Sequence, residues 1–186
     1  MVLAHAEPGS AAASGVVDTV RLSGGRTLTI RAVTKADVEG LDALFEGLSD
    51  EDRYYRFFNF YHPGRKFLEQ LARPEDEDGY RLVGVVSGPQ DKLVAEAGYV
   101  PLPDGNGEFA LTVAAGWRGW LGPFLLDAIV AAAAARGVPN LQADVLKSNI
   151  RMLALLSRRG YAVLHREASE LRVAIDAAQP RPRPRS

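Results

Sequence analysis

The chain has 186 residues, of which 47% are hydrophobic, and this combination predicts a single domain with a sizeable core. Its 22 basic and 23 acidic residues nearly cancel, so no overall field favours nucleic acid or an anionic membrane as a partner. The absence of cysteine excludes disulfides, thiolate metal sites and a cysteine nucleophile.

The apolar segments are too short for a membrane span. The longest, residues 124–135, contains Asp127 and falls short of the roughly 20 residues that a spanning helix needs. The first residues lack the basic region and long apolar core of a signal peptide. We therefore expect a cytoplasmic protein without membrane association.

Composition divides the chain into three parts. Residues 1–19 are predicted to be a disordered extension, since the start is rich in Ala, Ser, Gly and Pro without apolar periodicity. Residues 20–176 carry the periodic patterns of a domain. Residues 177–186 form a tail rich in Pro and Arg that is predicted to be disordered.

The first half of the domain predicts a hairpin followed by helices. Residues 20–22 and 27–33 are extended patterns around a Ser-Gly-Gly-Arg turn. A capping box from Thr34 to Asp37 starts a helix over residues 35–46, and a second start signal at Ser49 opens an aromatic helix. Residues 67–72 fit a further short helix.

A three-stranded meander follows an acidic loop. Residues 74–79 are interpreted as a solvated loop in preference to a metal site. Apolar strands over residues 80–87 and 93–100 are joined by a Gly-Pro-Gln-Asp turn, and a third strand covers residues 108–113.

The stretch from residue 108 to 124 organises the rest of the chain. It is a strand, a break of small residues, a glycine-rich turn and the start of a long apolar helix. The Gly122-Pro123 pair predicts a helix over residues 124–136 with the proline at its start, ending at Gly137. Such a turn holds a phosphate on backbone N–H groups and the helix dipole.

The remaining elements complete a mixed sheet. A strand over residues 141–146 follows the long helix and is therefore expected to lie parallel to the strand before that helix. Ser148 is predicted to cap a last helix over residues 149–159, which Gly160 ends. Residues 161–165 and 171–175 form a final hairpin.

This order of elements resembles the GCN5-related N-acetyltransferase (GNAT) family, and within it the acetyltransferase domains of bacterial protein lysine acetyltransferases. The matching segments are residues 28–58, 108–113, 117–122 and 145–163, the last of which keeps the family's spacing of Asn149, Met152, Gly160 and Tyr161. The resemblance implies an α/β (α+β) fold: a mixed, mostly antiparallel sheet of roughly six to seven strands flanked by about four helices.

The resemblance also implies a site for acetyl-coenzyme A as co-substrate. Its pyrophosphate would lie on the turn and on the helix N-terminus, its pantetheine beside the end of the central strand. Asn149 would bind the cofactor arm, or alternatively only cap a helix. The implied cofactor-binding residues are Val113, Ala114, Arg118, Gly119, Trp120, Leu121, Gly122 and Asn149.

The turn departs from the family pattern of Gln or Arg, two residues, Gly, one residue, then Gly or Ala. Starting at Arg118, the pattern places Leu121 and Pro123 at the two small positions; the other alignment leaves the loop one residue short. Leucine resists a positive φ, proline lacks an N–H, and Trp120 is expected to compete for the phosphate space. We therefore expect an altered cradle.

Acetyl transfer to an amine requires a base, because an ammonium group has no lone pair. Glu108 matches the general base of the related lysine acetyltransferases; its other interpretation is an ordinary charge at a strand end. Many family members use a tyrosine as general acid where this chain has Leu156. The coenzyme A thiolate has a moderate pKa and leaves without a strong acid. The scattered His5, His62 and His165 predict no metal site.

Two functions are compatible with these residues. The first is an N-acetyltransferase acting on a primary amine, either a small molecule or a protein lysine. The second is a catalytically silent module of the same fold that binds a protein partner. The aromatic residues among 54–61 are expected to form core and the acceptor wall. Arg53 and Arg56 would contact an acidic acceptor or pair with Asp50 and Asp52.

Overall fold

The computed structural model describes residues 16–73, 79–165 and 169–178. Its strands are β1 (Val16–Arg21), β2 (Thr27–Ala32), β3 (Tyr80–Val86), β4 (Lys92–Pro101), β5 (Gly107–Val113), β6 (Asn140–Leu146), β7 (Ala162–His165) and β8 (Glu170–Asp176). Its helices are α1 (Val38–Glu46), α2 (Asp50–Phe57), α3 (Arg65–Leu71), α4 (Leu121–Ala135) and α5 (Ile150–Arg158).

The strands form one sheet in the order β1-β2-β3-β4-β5-β6-β8-β7. Every neighbouring pair is antiparallel except β5 and β6, which confirms the predicted mixed, mostly antiparallel sheet. The eight strands exceed the expected six to seven. One of the eight is β1, which lies at the edge of the sheet and pairs with β2. It begins at Val16, ahead of the expected domain boundary at residue 20.

Both faces of the sheet are covered, as consecutive residues of one strand show. Leu82 of β3 belongs to the main core under α4, where Leu125 and Ile129 pack. The next residue, Val83, belongs to a second core that includes Leu41 and Phe45 of α1. Because successive side chains of a strand point to opposite faces, β3 contributes to both cores.

Four predicted helix starts differ from the observed ones. The first helix begins at Val38, after a 3₁₀ turn over Lys35–Asp37, and the short helix predicted from residue 67 begins at Arg65. The long helix begins at Leu121, so Pro123 is its third residue and not its first. The N–H groups of a helix's first turn have no intrahelical partner, which makes proline tolerable there as well. The last helix is capped by Asn149 and not by Ser148, because the Asn149 Oδ1 accepts the N–H of Met152 at 3.1 Å.

Other boundary signals are confirmed. Asp37 accepts the N–H of Thr34 at 2.7 Å in the predicted capping box, and the Ser49 Oγ accepts the N–H of Asp52 at 3.1 Å. The glycines after α4 and α5, Gly137 and Gly160, have φ of 75° and 66° as the predicted terminators. Residues 1–15, 74–78 and 179–186 lie outside the described residues, and with them most of the predicted extension, acidic loop and tail.

Candidate active site

A cleft of about 1080 Å³ opens where β5 and β6 separate. The two strands pair only at Gly107 with Leu141 and at Glu108 with Gln142. On its other edge β5 stays paired with β4 as far as Val113. Beyond Glu108, therefore, the β6-facing edge of β5 has no strand partner and faces the cleft. At the end of β5 the Val113 carbonyl accepts the Arg118 Nε–H at 3.2 Å. Residues of α2, α5 and the turn before α4 complete the walls.

The turn between β5 and α4 contains one left-handed residue, Gly119, with φ of 100°. A Cβ built there would meet no atom within 4 Å, so the glycine backbone is openly accessible. The expected strain at Leu121 does not arise, because Leu121 is the first residue of α4 and its side chain is fully buried. Glycine thus occupies the one position of this turn that requires it.

Trp120 packs away from the cleft, contrary to the expectation that it competes for the phosphate space. Its ring meets that of Trp117 edge to face, with centroids 6.5 Å apart, and both rings pack on the main core. The cleft wall includes Gly119 of this turn and Gly122 of α4, but not Trp120.

The N-terminus of α4 presents backbone donors next to this turn. Its first helical hydrogen bond is donated by Phe124 to the Trp120 carbonyl at 3.4 Å. The N–H groups of Leu121 and Gly122 precede that bond, and Pro123 has none to offer. These N–H groups and the dipole of the 15-residue helix favour binding of an anion. Because of Pro123, this helix end has one donor fewer than a proline-free sequence would present.

The predicted site residues divide into two groups. Those that line the cleft are Glu108, Val113, Arg118, Gly119, Gly122 and Asn149. Those whose side chains do not line it are Ala114, Trp120 and Leu121. Ala114 and Trp120 lie in the segment that joins β5 to α4, and Leu121 is the first residue of α4. The backbone of Ala114 is engaged within the protein, since its N–H donates to the Val94 carbonyl and its carbonyl accepts the Trp117 N–H, both at 2.9 Å.

Asn149 combines the two roles that the sequence left open. Its Oδ1 caps α5, while its Nδ2 has no hydrogen-bond partner among the described residues. Because Asn149 also lines the cleft, the amide N–H₂ remains available to a ligand.

Glu108 lies at the point where the strands part. Its side chain is exposed, lines the cleft and forms no hydrogen bond within the described chain. Leu156, at the position of the family's tyrosine acid, is fully buried in the main core. Its role here is packing.

At the mouth of the cleft, Asp52 binds two arginines that sequence reasoning did not connect to it. Its Oδ2 accepts Arg118 Nη2 at 2.7 Å and its Oδ1 accepts Arg151 Nη2 at 2.6 Å. Burial raises the pKa of Asp52, but the hydrogen bonds from Arg118 and Ser49 outweigh it and hold that pKa below its usual value. We call Asp52, Arg118 and Arg151 the mouth cluster; it ties α2 to both sides of the cleft.

A second carboxylate, Glu96 of β4, bridges two arginines inside the protein. Glu96 is fully buried and accepts Arg56 Nη2 at 3.2 Å, Thr112 Oγ1 at 2.9 Å and Arg81 Nη1. Burial raises the pKa of Glu96, yet Arg56 and Arg81 more than offset this and keep it below its usual value. Glu96, Arg56 and Arg81 are called the buried triad.

The buried triad corrects the pairing expected for α2. Arg53 does pair with Asp50, at 3.6 Å, but Arg56 pairs with Glu96 and Asp52 pairs across the cleft. The sequence carried one signal for the triad: a single acid inside the apolar run of β4. A buried charge of this kind needs a partner, although the sequence does not say which.

The aromatic residues of α2 and the loop after it are only partly core. Phe57 packs edge to face on Phe45 and Phe67, with centroids 5.3 and 6.1 Å apart. Tyr55, Phe57 and Phe58 line the cleft, as expected of an acceptor wall. Tyr54, Phe60 and Tyr61 are exposed, which contradicts their assignment to core.

Among the described residues no group of three His, Cys, Asp or Glu side chains is arranged to hold a metal ion. His62 instead lies 3.0 Å from the Asp42 carboxylate. His5 and the side chain of His165 lie outside what the structure describes. In the same described ranges, no helix has the length and apolar character to cross a membrane.

Comparison with known proteins gives relatives of one fold, while no protein-family model matches the chain. Acetyltransferase Pat of Mycolicibacterium smegmatis is 28% identical over 163 residues, which cover 84% of this chain and 48% of that protein. This chain thus spans about half the length of that curated relative.

Solved structures of acetyltransferases share the fold of this chain. The GNAT domain of S. lividans PAT superposes with a TM-score of 0.74 and 28% identity, covering 85% of this chain and 95% of that one. The ribosomal-protein-alanine N-acetyltransferase of Brucella melitensis shares the fold at a TM-score of 0.63 and 22% identity, covering 79% and 98%. These likenesses show that the chain has the GNAT fold, and together with the parted strands and the glycine turn they support a GNAT domain that resembles those of the protein lysine acetyltransferases.

Proposed function

We propose that this protein is an acetyl-coenzyme A dependent N-acetyltransferase that acetylates a primary amine by direct transfer, with Glu108 as the general base. The observation that carries the proposal is the separation of β5 and β6 immediately after Glu108. It gives one cleft both a free carboxylate and the donor-rich turn before α4. The acetyltransferase names of the relatives support the same activity.

The cofactor half of the cleft fits a phosphorylated ligand. The open backbone at Gly119 and the N–H groups of Leu121 and Gly122 would receive the pyrophosphate. The backbone of Val113 and the free amide of Asn149 would hold the pantetheine arm. Ala114, which the resemblance also implied, has its N–H bonded to the Val94 carbonyl and its carbonyl to the Trp117 N–H. When bound, acetyl-coenzyme A supplies an acetyl group activated as a thioester.

The chain's own contribution to the chemistry is proton removal and positioning. An alkylammonium acceptor must lose a proton before its nitrogen can attack, and a carboxylate or a carboxylate-bound water accepts that proton. Glu108 is exposed to the cleft, so an acceptor amine can reach it. The acceptor class includes small amines and protein lysines.

The second candidate is a silent GNAT-fold module that binds a protein partner. Pro123 removes one donor from the turn, and Leu156 replaces the family's tyrosine. The exposed rings of Tyr54, Phe60 and Tyr61 would then contact the partner. Capture of one stoichiometric partner by a protein that binds no acetyl-coenzyme A would favour this candidate.

The test is Glu108→Gln, assayed for coenzyme A release over a panel of amines and lysine peptides. General-base catalysis contributes about 10²–10⁴-fold, so we expect kcat/KM to fall at least 100-fold. Glu170→Gln is the matched control, because Glu170 also lines the cleft but has no proposed role in the reaction. Equal turnover by wild type and Glu108→Gln would exclude the proposed base.

A further inference from the structure

The buried triad contains more positive than negative charge. Glu96 is its one carboxylate, while Arg56 and Arg81 each carry a guanidinium that stays charged in proteins. The side chains of the arginines are only 14% and 9% exposed. Among the described residues, Glu96 is the only carboxylate paired with either arginine. A charge withheld from water without a counter-ion is costly, so this arrangement favours one further anion nearby.

Arg56 is the member of the triad through which such an anion can be reached. Arg56 lines the cleft, whereas Arg81 and Glu96 are not part of its described wall. Its Nε donates to Glu96 and Thr112 at 3.2 and 3.1 Å, and its Nη2 donates to Glu96 at 3.2 Å. Its Nη1 has no acceptor among the described residues, although all its other nitrogens are engaged.

Packing fixes the plane of this guanidinium. The Arg56 Cζ lies 5.0 Å from the centroid of the Phe57 ring and 5.9 Å from that of Phe45. These cation–π contacts and the three hydrogen bonds leave the side chain little rotational freedom. Nη1 is therefore an oriented donor that would lose little entropy on binding a ligand.

Arg56 also lies along the same strand face as the proposed base. Thr112, which receives the Arg56 Nε, is four residues from Glu108 on β5, and side chains two residues apart share a face. Four residues of strand span about 13 Å. A substrate lying along this face can therefore meet both residues.

We propose that Arg56 binds a carboxylate carried by a substrate of this cleft. The proposal rests on the proposed function and deepens it by naming a substrate class. The triad's excess of a single positive charge matches a monoanion such as a carboxylate. The carboxylate belongs either to the acyl group of the donor, as in a dicarboxylic acyl thioester, or to the amine acceptor, as in an ω-amino acid.

The experiment compares carboxylates with their neutral amides in two arms. In the donor arm, calorimetry measures S-(3-carboxypropyl)-coenzyme A against S-(3-carbamoylpropyl)-coenzyme A, stable thioethers that are not turned over. In the acceptor arm, ω-amino acids of four to eight carbons are compared with their carboxamides, without coenzyme A, by calorimetry and by the ¹⁵N signals of the Arg56 guanidinium. A hydrogen bond to a charged group predicts a preference of about tenfold or more for the carboxylate in one arm.

Arg56→Gln is expected to abolish that preference while leaving affinity for the neutral amide within about twofold. Arg81→Lys is the control, since it disturbs the same triad from outside the cleft and should keep the preference. Thermal unfolding of each variant reports its folding. If Arg56→Gln does not fold, the wild-type ratios and the Arg56 ¹⁵N shifts still decide the matter.

Each outcome has a meaning. A preference in the donor arm or in the acceptor arm, lost in Arg56→Gln, supports the proposal and identifies the source of the carboxylate. Equal binding of carboxylate and amide in both arms, or a preference unchanged in Arg56→Gln, overturns it. Failure of acetyl-coenzyme A itself to bind would instead refute the proposed function, and the acceptor arm would still test Arg56.

Discussion

Two carboxylates in this protein each bridge a pair of arginines, and they differ in where they do so. Glu96 of the buried triad is fully buried within the sheet, and its arginine side chains are 14% and 9% exposed. Asp52 of the mouth cluster is 15% exposed, and its partners Arg118 and Arg151 are 28% and 55% exposed. Both clusters pair one carboxylate with two guanidinium groups, but the mouth cluster is more exposed to solvent than the buried triad.

This difference in exposure means that Glu96 has a structural role, whereas water can replace the partners of Asp52. The bonds of Glu96 run to α2, β3 and β5, so the carboxylate fixes α2 on the sheet. Asp52 joins α2 to the turn before α4 and to α5, where water competes for its arginines. Loss of the buried Glu96 carboxylate should therefore lower the free energy of unfolding more than loss of the partly exposed Asp52 carboxylate.

The largest effect should follow removal of the buried charge. Glu96→Gln leaves two guanidiniums without their anion, and breaking a buried ion pair costs about 3–5 kcal/mol of the free energy of unfolding. Urea unfolding at pH 7 measures it, with the exposed Glu39→Gln as control. A loss below about 1 kcal/mol would show that Glu96 is not structurally required.

A smaller effect is expected at the mouth. Asp52→Asn should lower the free energy of unfolding by about 1–2 kcal/mol, because it weakens partly exposed hydrogen bonds between charged groups. The neighbouring Glu51→Gln is the matched control, since Glu51 is more exposed and lies 3.8 Å from Arg151. If Asp52→Asn proves as damaging as Glu96→Gln, the contrast between the two clusters fails.

The smallest effect is expected on folding stability at acidic pH. The pKa of Asp52 and that of Asp37, which is bound by Arg31 and Thr34, lie below their usual values in the folded protein. The stabilisation from each is present above the unfolded pKa of about 3.9 and is lost as pH falls through the lower folded pKa. Stability should thus fall below about pH 4, and less steeply in Asp52→Asn. Urea unfolding at several pH values between 5 and 2.5 measures this. An equal loss of the free energy of unfolding in wild type and Asp52→Asn over that range would contradict the prediction.

The fold was largely predictable because its signals are local. Capping residues such as Ser49 and terminating glycines such as Gly137 act within one helical turn, and the patterns of β3 and β4 reflect burial on both faces of the sheet. The start of α4 was misplaced, because a proline is acceptable at several positions of a first helical turn and the Gly122-Pro123 pair does not distinguish them.

The charged clusters were not predictable, because their members are distant in sequence. Arg56 and Arg81 lie 40 and 15 residues from Glu96, and Arg118 and Arg151 lie 66 and 99 residues from Asp52. No periodicity connects such positions, and only the folded sheet brings them together. The sequence placed Glu108 and the glycine turn in one cleft through their resemblance to a family motif.

The most direct test of the account is calorimetric titration of the purified protein with acetyl-coenzyme A. If the turn before α4 holds a pyrophosphate, binding should be near micromolar, or about −8 kcal/mol. A thermal shift should accompany it, because a ligand that binds only the folded state stabilises that state. Absence of both heat and thermal shift at millimolar acetyl-coenzyme A would contradict the proposed cofactor site and favour the partner-binding module.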